Sequence, residues 1–285
     1  MKHALAAIAI ALAGACASAE APAQAESAQA DALTAAINGA WRSDADRARD
    51  TYRNPGEALA FFGLAPNQTI VEIGPGGGWW THILAPYAAQ TNGRYIAAAG
   101  DRGAPNATDA ARRSRQNFLT TFGDRAIYGD VSAVDFSMRA GLALPDASAD
   151  FILVARAFHN WSQSEGVTAR YMAEFARVLK PGGTLAVEQH RAPAGADVSE
   201  SAGNGYVPEA YVIAAAQQAG LELAARSEIN ANPADTRDHP FGVWTLPPTR
   251  QSAPRGQAAN PAFDHAPYDA IGESDRMTLR FRKPA

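Results

Sequence analysis

The order of apolar and polar residues predicts strands and helices in turn along most of the chain. Helical patterns lie at 79–89, 107–122, 167–179 and 208–219, and short apolar runs typical of strands lie at 69–73, 94–99, 126–128, 151–155, 184–188 and 221–229. The run 151–155, FILVA, is apolar throughout, as expected of a strand buried on both faces of a parallel sheet. This alternation predicts an α/β fold with a doubly wound, mostly parallel sheet and flanking helices.

One domain is predicted over residues 41–285. Two of its segments depart from the alternation of strands and helices. Residues 41–65 carry dense charges and then a helix that opens at Pro55, so they predict an N-terminal helical cap. Residues 230–272 contain seven prolines and little periodicity, which indicates a functional or a disordered insertion. We expect this insertion to lie across or beside a substrate cleft. The closing run 276–282 alternates apolar and polar residues, which predicts a strand with one face in solvent.

The first 19 residues have the three-part pattern of a secretory signal peptide. Lys2 and His3 form a basic start, residues 4–15 are apolar but too short to span a bilayer, and the sequence ASA ends at Ala19. The pattern predicts cleavage after Ala19 and a periplasmic or secreted protein. The alternative is an uncleaved apolar helix.

The only cysteine of the chain, Cys16, lies within this segment. Cleavage after Ala19 leaves a mature chain without cysteine, which excludes disulfides, thiolate catalysis and cysteine-ligated zinc. The alternative is a lipoprotein signal with Cys16 as the lipidated first residue, although Ala13 stands where a larger aliphatic residue is usual. Residues 20–40, rich in Ala, Gln, Glu and Ser, are predicted to be a flexible linker or a frayed helix.

Composition and charge narrow the class of partner. The chain is 47% hydrophobic and 19% charged with a formal net charge of -4, which is ordinary for a globular protein. It carries no basic run, so binding to a nucleic-acid backbone is disfavoured on electrostatic grounds. The expected partner is therefore a small-molecule substrate. No stable membrane span is predicted for the protein. The sequence specifies no oligomeric state.

A glycine-rich loop joins the first predicted strand to the helix after it. The segment 72–78, EIGPGGG, spaces its glycines as G-x-G-x-G, with Glu72 two places before the first glycine. Glycines allow a tight turn and close approach of a ligand, and the helix N-terminus offers unpaired N–H groups. Dinucleotide-binding loops have the spacing G-x-G-x-x-G, so this pattern disfavours a dinucleotide oxidoreductase. A tight turn without any ligand is the remaining alternative.

The loop resembles motif I of the class I, Rossmann-like methyltransferases, which bind S-adenosylmethionine. The resemblance implies that Glu72 lies near the methionyl amino group of this cofactor and that the loop backbone passes beneath it. The other cofactor-binding residues implied at this end of the sheet are Gly74, Pro75, Gly76, Gly78 and Ala155.

Three later segments resemble the same family and occur in its order. The sequence YGDV is similar to its acidic turn after the third strand, which implies that Asp130 and Val131 meet the adenine amine. Residues 144–151, LPDASADF, are similar to its lead into the fourth strand, and residues 178–185, VLKPGGTL, to its turn into the fifth. The resemblance covers 69–188 and implies a seven-stranded sheet of the class I methyltransferase fold.

A narrower resemblance, to a group of predicted bacterial methyltransferases with secretory signals, extends over nearly the whole mature chain. The matching stretches are 46–55, 76–81, 158–160, 232–235, 244–248 and 274–276. One position departs from the wider family, in which a carboxylate at the end of the second strand holds the ribose hydroxyls. Ala99 stands there, and Asp101 follows two residues later. Either a bulge lets Asp101 serve, or the ribose is held less tightly.

Candidate catalytic residues lie at the ends of two strands and in the cap. His159 follows the fourth strand and His190 the fifth, and ligands bind at the carboxyl ends of such strands, so both are expected to face the cleft. A neutral imidazole there can accept a substrate proton, while the alternative is a loop histidine. Tyr52 and Arg53 either meet the substrate or the cofactor carboxylate, or belong to an ion-paired helix surface. The spacing of His159, His190 and His239 fits no compact ligand pattern, so no metal site is predicted.

These inferences together predict an S-adenosylmethionine-dependent methyltransferase that acts on a small molecule. Methyl transfer requires alignment of the nucleophile and exclusion of water more than it requires acid–base groups. The rival hypothesis is a secreted binding protein that reuses the fold without catalysis. Two features motivate it: the cofactor is made in the cytoplasm, and Ala99 departs from the family.

Overall fold

The computed structural model describes residues 20–285 of the chain. The predicted signal peptide at 1–19, its cleavage after Ala19 and the lipidation of Cys16 all lie outside the described residues. Within the range that is described, no helix combines the length and the apolar character needed to cross a bilayer.

Helices and strands alternate along the described chain. The helices are α1 (Glu20–Ile37), α2 (Asp44–Arg47), α3 (Asp50–Arg53), α4 (Pro55–Phe62), α5 (Thr81–Gln90), α6 (Asp109–Thr121), α7 (Arg125–Tyr128), α8 (Val167–Val178), α9 (Val198–Ser201), α10 (Glu209–Gln218) and α11 (Ala266–Ile271). The strands are β1 (Thr69–Ile73), β2 (Arg94–Ala98), β3 (Ser132–Val134), β4 (Phe136–Ser137), β5 (Gly141–Leu142), β6 (Ala149–Ala155), β7 (Leu179–His190), β8 (Glu222–Ser227), β9 (Pro240–Val243) and β10 (Arg276–Arg282). Phe158–Asn160 and Ala202–Asn204 form short 3-10 helices.

Seven strands form one sheet in the order β3-β2-β1-β6-β7-β10-β8, which confirms the predicted mostly parallel sheet. Strands β3, β2, β1, β6 and β7 are parallel to one another, and β10 is antiparallel to both β7 and β8. Strands β4 and β5 form a separate antiparallel pair. The chain reverses direction across the sheet between β1 and β6, so the carboxyl ends of these strands border a crevice suited to a ligand.

Helices cover both faces of the sheet because neighbouring residues of each strand point to opposite sides. Ile152 of β6 belongs to one apolar cluster with Phe175 of α8 and Val212 of α10. Leu153, the next residue, belongs to the other cluster with Leu84 of α5 and residues of α1 and α4. The continuous apolar run of β6 is therefore explained by burial on both faces.

The predicted third strand at 126–128 is wrong. Asp124 accepts a hydrogen bond from the backbone N–H of Ala126 at 3.0 Å and caps the single helical turn α7. The strand itself begins at Ser132, where it pairs with Ile96 of β2. The apolar residues 126–128 therefore lie in a short helix. Their composition is typical of a strand, but the cap by Asp124 stabilises the helical turn.

The closing strand β10 differs from its prediction as well. It lies between β7 and β8, and its polar residues Arg276 and Thr278 are buried, so that face reaches solvent only toward its end, at Arg282. The Arg276 guanidinium donates to Glu188 at 2.7 Å and to Glu273 at 2.8 Å, which compensates its charge. Alternation alone cannot distinguish a solvent-facing polar residue from a buried, ion-paired one.

Residues 20–40, predicted as a flexible linker or a frayed helix, form helix α1 up to Ile37. The side-chain amide of Gln29 donates to the carbonyl of Leu64 at 2.7 Å. Ala36 is buried, and Leu33 packs against the apolar cluster that contains α5. The few apolar residues of this segment lie on the side of the helix that contacts the apolar cluster containing α5, and these contacts hold α1 in place.

Candidate functional site

The glycine loop between β1 and α5 has three residues in backbone conformations that only glycine adopts readily. Gly74, Gly76 and Gly78 have φ angles of +64°, +57° and +84°. The Gly74 N–H donates to the carbonyl of Ala98 at 2.8 Å, which ties the loop to the end of β2. A methyl group built on Gly77 meets no atom within 4 Å, so the backbone there borders open space. The loop therefore leaves room for a ligand beside its backbone.

Two neighbouring glycines allow the ligand role of the loop to be separated from its folding role. Gly77→Ala adds a methyl group in open space without a left-handed φ, so we expect unchanged stability and weaker binding of a ligand in the cavity. Gly78→Ala requires a left-handed alanine whose Cβ contacts the Phe122 ring, and we expect a loss of about 2 kcal/mol or more in the free energy of unfolding. Urea unfolding and ligand titration of both variants check this; equal stability of the two would contradict it.

Glu72, the last but one residue of β1, is a buried carboxylate with one oxygen fully engaged. Its Oε2 accepts from Thr81 Oγ1 at 2.8 Å and from the Tyr95 hydroxyl at 2.5 Å. No hydrogen bond to Oε1 is formed by the described residues. Glu72 lines the cavity at the carboxyl ends of β1, β6 and β7, which is called the main cavity below. Burial raises the pKa of Glu72 to about 7, and the two hydrogen bonds oppose that rise. A cation that entered the cavity would stabilise the ionised form.

The main cavity has a volume of about 490 Å³ and lies at the carboxyl ends of β1, β6 and β7. Seven of the predicted site residues line it: Glu72, Gly74, Pro75, Gly76, Ala155, His159 and His190. Asp46 and Arg49 of the cap line it as well, as do Trp244, Pro247 and Pro248 of the insertion 230–272. The insertion therefore lies at the cleft, as expected. Gly78 itself does not line the cavity and serves the turn.

A second space of about 320 Å³ continues from the main cavity past Gly74 and Asn160, which line both. Ala99 lies in its wall, at the position where the wider family has a carboxylate. The Asp101 carboxylate instead accepts from Ser137 Oγ and from Arg139 Nε, and Asp101 lines neither space. The idea that a bulge brings Asp101 into the ribose position is therefore not supported by its placement.

Two other predicted site residues, Asp130 and Val131, lie away from the main cavity. Asp130 and Val131 precede β3, at the amino edge of the sheet, and Asp130 is exposed in an ion pair with Arg125. This misplacement follows directly from the wrong third strand. Asp135 is the residue that follows β3, where it accepts from the backbone of Gly103 at 2.8 Å. The alternation in SAVDF after Val131 was the sequence signal for this strand.

Tyr52, predicted as catalytic, is 41% exposed and packs its ring against Gly272 outside the main cavity. The neighbouring Arg53 is buried and stacks over the Trp79 ring at 4.6 Å. Arg49, one helical turn before Arg53, is the cap arginine that lines the cavity. The cap thus meets the cleft with a different residue from the one predicted.

His159 is held by a glutamine whose amide orientation is fixed. Gln189 Oε1 accepts from the N–H of Phe158 at 3.1 Å, and its Nε2 donates to the carbonyl of Gly205 at 2.9 Å. The same Nε2 lies 3.3 Å from His159 Nδ1, so Nδ1 accepts and the proton of the neutral ring is on Nε2. Burial lowers the pKa of His159 to about 4, so the ring is neutral near pH 7. His159 is therefore a hydrogen-bond donor toward the cavity.

His190 lies beside His159, with 5.9 Å between the ring centroids. Its Nδ1 lies 2.5 Å from Ser274 Oγ, and either atom can donate in that pair. Burial and the neighbouring His159 hold the pKa of His190 well below its usual value. When Nδ1 donates to Ser274, Nε2 is free to accept a proton from a bound molecule. Of the two histidines, His190 is the one able to act as a base.

One buried carboxylate, Glu273, organises the arginines under the cavity. It accepts from Arg49 Nε at 2.7 Å, from Arg53 Nε at 2.9 Å and from Arg276 Nη2 at 2.8 Å. Sequence reasoning missed Glu273, although the stretches 46–55 and 274–276 that surround its partners were singled out. This network joins the cap to β10 and fixes the wall of the cavity.

The insertion 230–272 is tied to the sheet by a second buried group, Asp235. Asp235 accepts from the Tyr206 hydroxyl at 3.1 Å, from the N–H of Asp275 at 2.9 Å, and pairs with His239 at 2.8 Å. His239 is thereby held apart from His159 and His190. No group of three His, Cys, Asp or Glu side chains placed to hold a metal ion occurs within residues 20–285.

One sequence family matches the central part of the chain. Residues 71–187 match a sequence family described as Methyltransferase domain. No curated protein sequence matches the chain at a significant level.

Comparison with solved structures identifies the fold. The (4+2)-cyclase SpnF has a TM-score of 0.53 and 15% identity, over 91% of this chain and 95% of that chain. A SAM dependent methyltransferase from Aquifex aeolicus is 21% identical with a TM-score of 0.47, over 65% of this chain and 89% of that chain. A putative sarcosine dimethylglycine methyltransferase from Galdieria sulphuraria is 15% identical with a TM-score of 0.49, over 84% of this chain and 86% of that chain. The likeness to SpnF shows the fold, and the matched domain implies S-adenosylmethionine as the cofactor.

Proposed function

We propose that this chain, whose matched domain and fold support the class I methyltransferase superfamily, is an S-adenosylmethionine-dependent methyltransferase acting on a small molecule. The observation that carries the proposal is the carboxylate of Glu72 beside the glycine loop, with Oε1 left unbonded by the described residues. A buried carboxylate needs a compensating partner, and the amino group of this cofactor is a cation of the right kind.

The residues of the cavity fit the cofactor well at its methionine end and less closely at its ribose. Glu72 would bind the methionyl ammonium, and the backbone at Gly77 leaves space beside it. The adjoining space at Ala99 would take the adenosine part, without the carboxylate that usually holds the ribose. Cavities of about 300–1,000 Å³ are typical for ligands of this size, and the two spaces lie in that range. When bound, the cofactor supplies a methyl group on a sulfonium that is already a good leaving group.

The residues of the chain position the acceptor and receive its proton. The insertion, through Trp244 and the prolines after it, closes one side of the cavity and excludes water. His159 donates from Nε2 and orients the acceptor. As the acceptor's nitrogen or oxygen gains the methyl group, its proton passes to Nε2 of His190.

A thermal shift with S-adenosylmethionine and S-adenosylhomocysteine tests the proposal. Ligand at about 100 times its Kd stabilises the native state by roughly 2.7 kcal/mol, which raises the Tm of a protein of this size by several degrees. We expect a shift with both compounds. If millimolar concentrations of either leave the Tm unchanged, the proposal fails. The rival, a binding protein without catalysis, then becomes the hypothesis to pursue by native mass spectrometry of the purified protein.

We also propose that the protein acts outside the cytoplasm, on the strength of the signal pattern in residues 1–19. Mass spectrometry of the protein isolated from its host measures the mature N-terminus. A chain that begins at Glu20 supports the proposal, and a lipidated Cys16 would indicate the lipoprotein alternative instead. An intact Met1 would contradict both.

A further inference from the structure

Two arginines face the main cavity without a carboxylate partner. Arg156 and Arg255 both line it, and within residues 20–285 neither guanidinium lies within 4 Å of an Asp or Glu oxygen. The buried Nε of Arg156 has no hydrogen-bond partner among the described residues. By contrast, Arg49 and Arg53 share Glu273. Neither guanidinium is therefore paired with a carboxylate, in a cavity whose lining also includes Asp46, Glu72 and Glu273.

The position of Arg156 is held under backbone strain. It follows β6 directly and has a φ of +53°, which is uncommon for a residue with a side chain. Its N–H donates to the carbonyl of Glu188 at 2.7 Å, which fixes the turn. Such strained positions cluster at sites where a side chain must be aimed at a ligand.

A third space adjoins the main cavity on the side of the insertion. It has a volume of about 360 Å³ and shares His159, Asn160, Trp244 and Arg255 with the main cavity. Phe241 adds a second aromatic wall, and no Asp or Glu among residues 20–285 lines this space. Arg255 lies over the Trp244 ring, with its Cζ 5.2 Å from the centroid. The space thus combines aromatic surfaces with one cation.

At the junction of the two spaces, His159 has the same preference. His159 presents a donor there, because Gln189 occupies its Nδ1. An N–H donor beside two unpaired guanidinium groups favours an acceptor-rich, negatively charged molecule over a cationic one. The aromatic walls favour a flat ring.

We infer that the methyl acceptor is a small aromatic acid, held by Arg156 and Arg255 with its ring between Trp244 and Phe241. This inference rests on the proposed methyltransferase function and names the substrate class of the same site. The oxygen of a hydroxyl group or the nitrogen of an amino group on the ring receives the methyl group, and the proton of that group passes to His190. Unpaired guanidinium groups disfavour a cationic acceptor.

The test uses three probes that share a phenol ring and differ in charge. The probes are 4-hydroxybenzoate, 4-hydroxybenzamide and 4-hydroxybenzylamine, titrated calorimetrically into the protein with and without saturating S-adenosylhomocysteine. A charge-assisted pair with arginine predicts that the benzoate binds at least about tenfold more tightly than the amide, and that the amine binds most weakly.

Arginine variants identify the source of this preference. Arg255→Gln and Arg156→Gln are each expected to remove most of the preference for benzoate. Arg255 is exposed, so its variant keeps the fold even if Arg156→Gln is destabilised. Arg250→Gln is the matched control, because Arg250 belongs to the same insertion, pairs with Asp269 at 2.8 Å and lines none of these spaces. It is expected to keep the preference in full.

The outcomes separate the inference from the proposed function. Equal affinity for the three probes, no binding of the benzoate, or a preference that survives in Arg255→Gln overturns the inference. If S-adenosylhomocysteine fails to bind while the charge preference persists, the methyltransferase proposal fails and the aromatic-acid site stands as a binding site. If S-adenosylhomocysteine binds and the preference is absent, only the inference fails.

Discussion

Glu72→Gln is expected to weaken the binding of S-adenosylhomocysteine at least about 30-fold at pH 8, the largest effect of any single change in the cofactor site. The substitution keeps the shape of the side chain but removes the charge that pairs with the ammonium, and truncating one partner of a buried charged pair costs about 2–5 kcal/mol. Isothermal titration calorimetry measures this change. Glu222→Gln, an exposed glutamate on β8, is the matched control and is expected to bind as the wild type does.

The same substitution is expected to stabilise the protein in the absence of ligand. Because the pKa of Glu72 is raised from 4.5 to about 7 in the folded state, the native state holds a proton that the unfolded state releases between these values. Stability from this group is therefore present at low pH and is lost as pH rises through 7. At pH 8 the cost is roughly 3 kcal/mol, which Gln does not incur, so the Tm of the variant should rise by several degrees. At pH 4 the two proteins should melt together; a variant less stable at pH 8 would contradict the account.

Protonation of Glu72 also predicts how binding depends on pH. The ammonium pairs with the ionised carboxylate, so the affinity for S-adenosylhomocysteine should fall as pH is lowered below about 7. This dependence should be absent from Glu72→Gln, which binds weakly at every pH.

Glu273→Gln is expected to lower the free energy of unfolding by about 3–5 kcal/mol, the largest loss of stability from one change in the site. The reason is that Arg53 and Arg276, both buried, and the half-buried Arg49 lose the carboxylate that they share. A fall of roughly 10 °C in the Tm corresponds to this loss in a protein of this size.

The exposed carboxylate of Glu228 supplies the control for Glu273. Glu228 pairs with Arg191 at 2.7 Å and its side chain is 64% exposed, so Glu228→Gln should cost no more than about 1 kcal/mol. If the two variants unfold at the same urea concentration, the buried network does not stabilise the fold as described here.

The sequence was sufficient for most strands of the sheet and for the loop at its centre, because these have local signals. The run FILVA of β6 is apolar over its whole length, and the glycines of 74–78 stand where left-handed φ angles are required. His159 and His190 were expected at the cleft from topology, because each lies at or after the carboxyl end of a strand. Glu72, which lines the same cavity, was expected there from the resemblance of the glycine loop to motif I.

The parts that sequence reasoning missed depend on contacts between distant residues. Asp130 was predicted to follow the third strand because the apolar triplet 126–128 looked like a strand. Asp124 caps this triplet as a helical turn, and the residue that follows the strand is Asp135. Tyr52 was predicted at the cleft where Arg49 is found, because the local sequence does not show which side of the short helix α3 faces the cleft. Glu273 is adjacent in space to Arg53 but 220 residues away in sequence.

The tautomer of His159 is a further case. It follows from the orientation of one glutamine amide, which the backbone of Phe158 and Gly205 determines. The sequence allowed a base at this position, whereas the contacts assign a donor. That change moves the proton-accepting role to His190 and supports an anionic acceptor.

A crystal structure of the protein with S-adenosylhomocysteine tests the central claim most directly. The account predicts the methionyl amino group within hydrogen-bond distance of Glu72 Oε1, the loop 74–78 beneath the ligand, and the adenosine part toward Ala99. A ligand bound elsewhere on the sheet, or a cavity that holds a different molecule in place of S-adenosylhomocysteine, would contradict it.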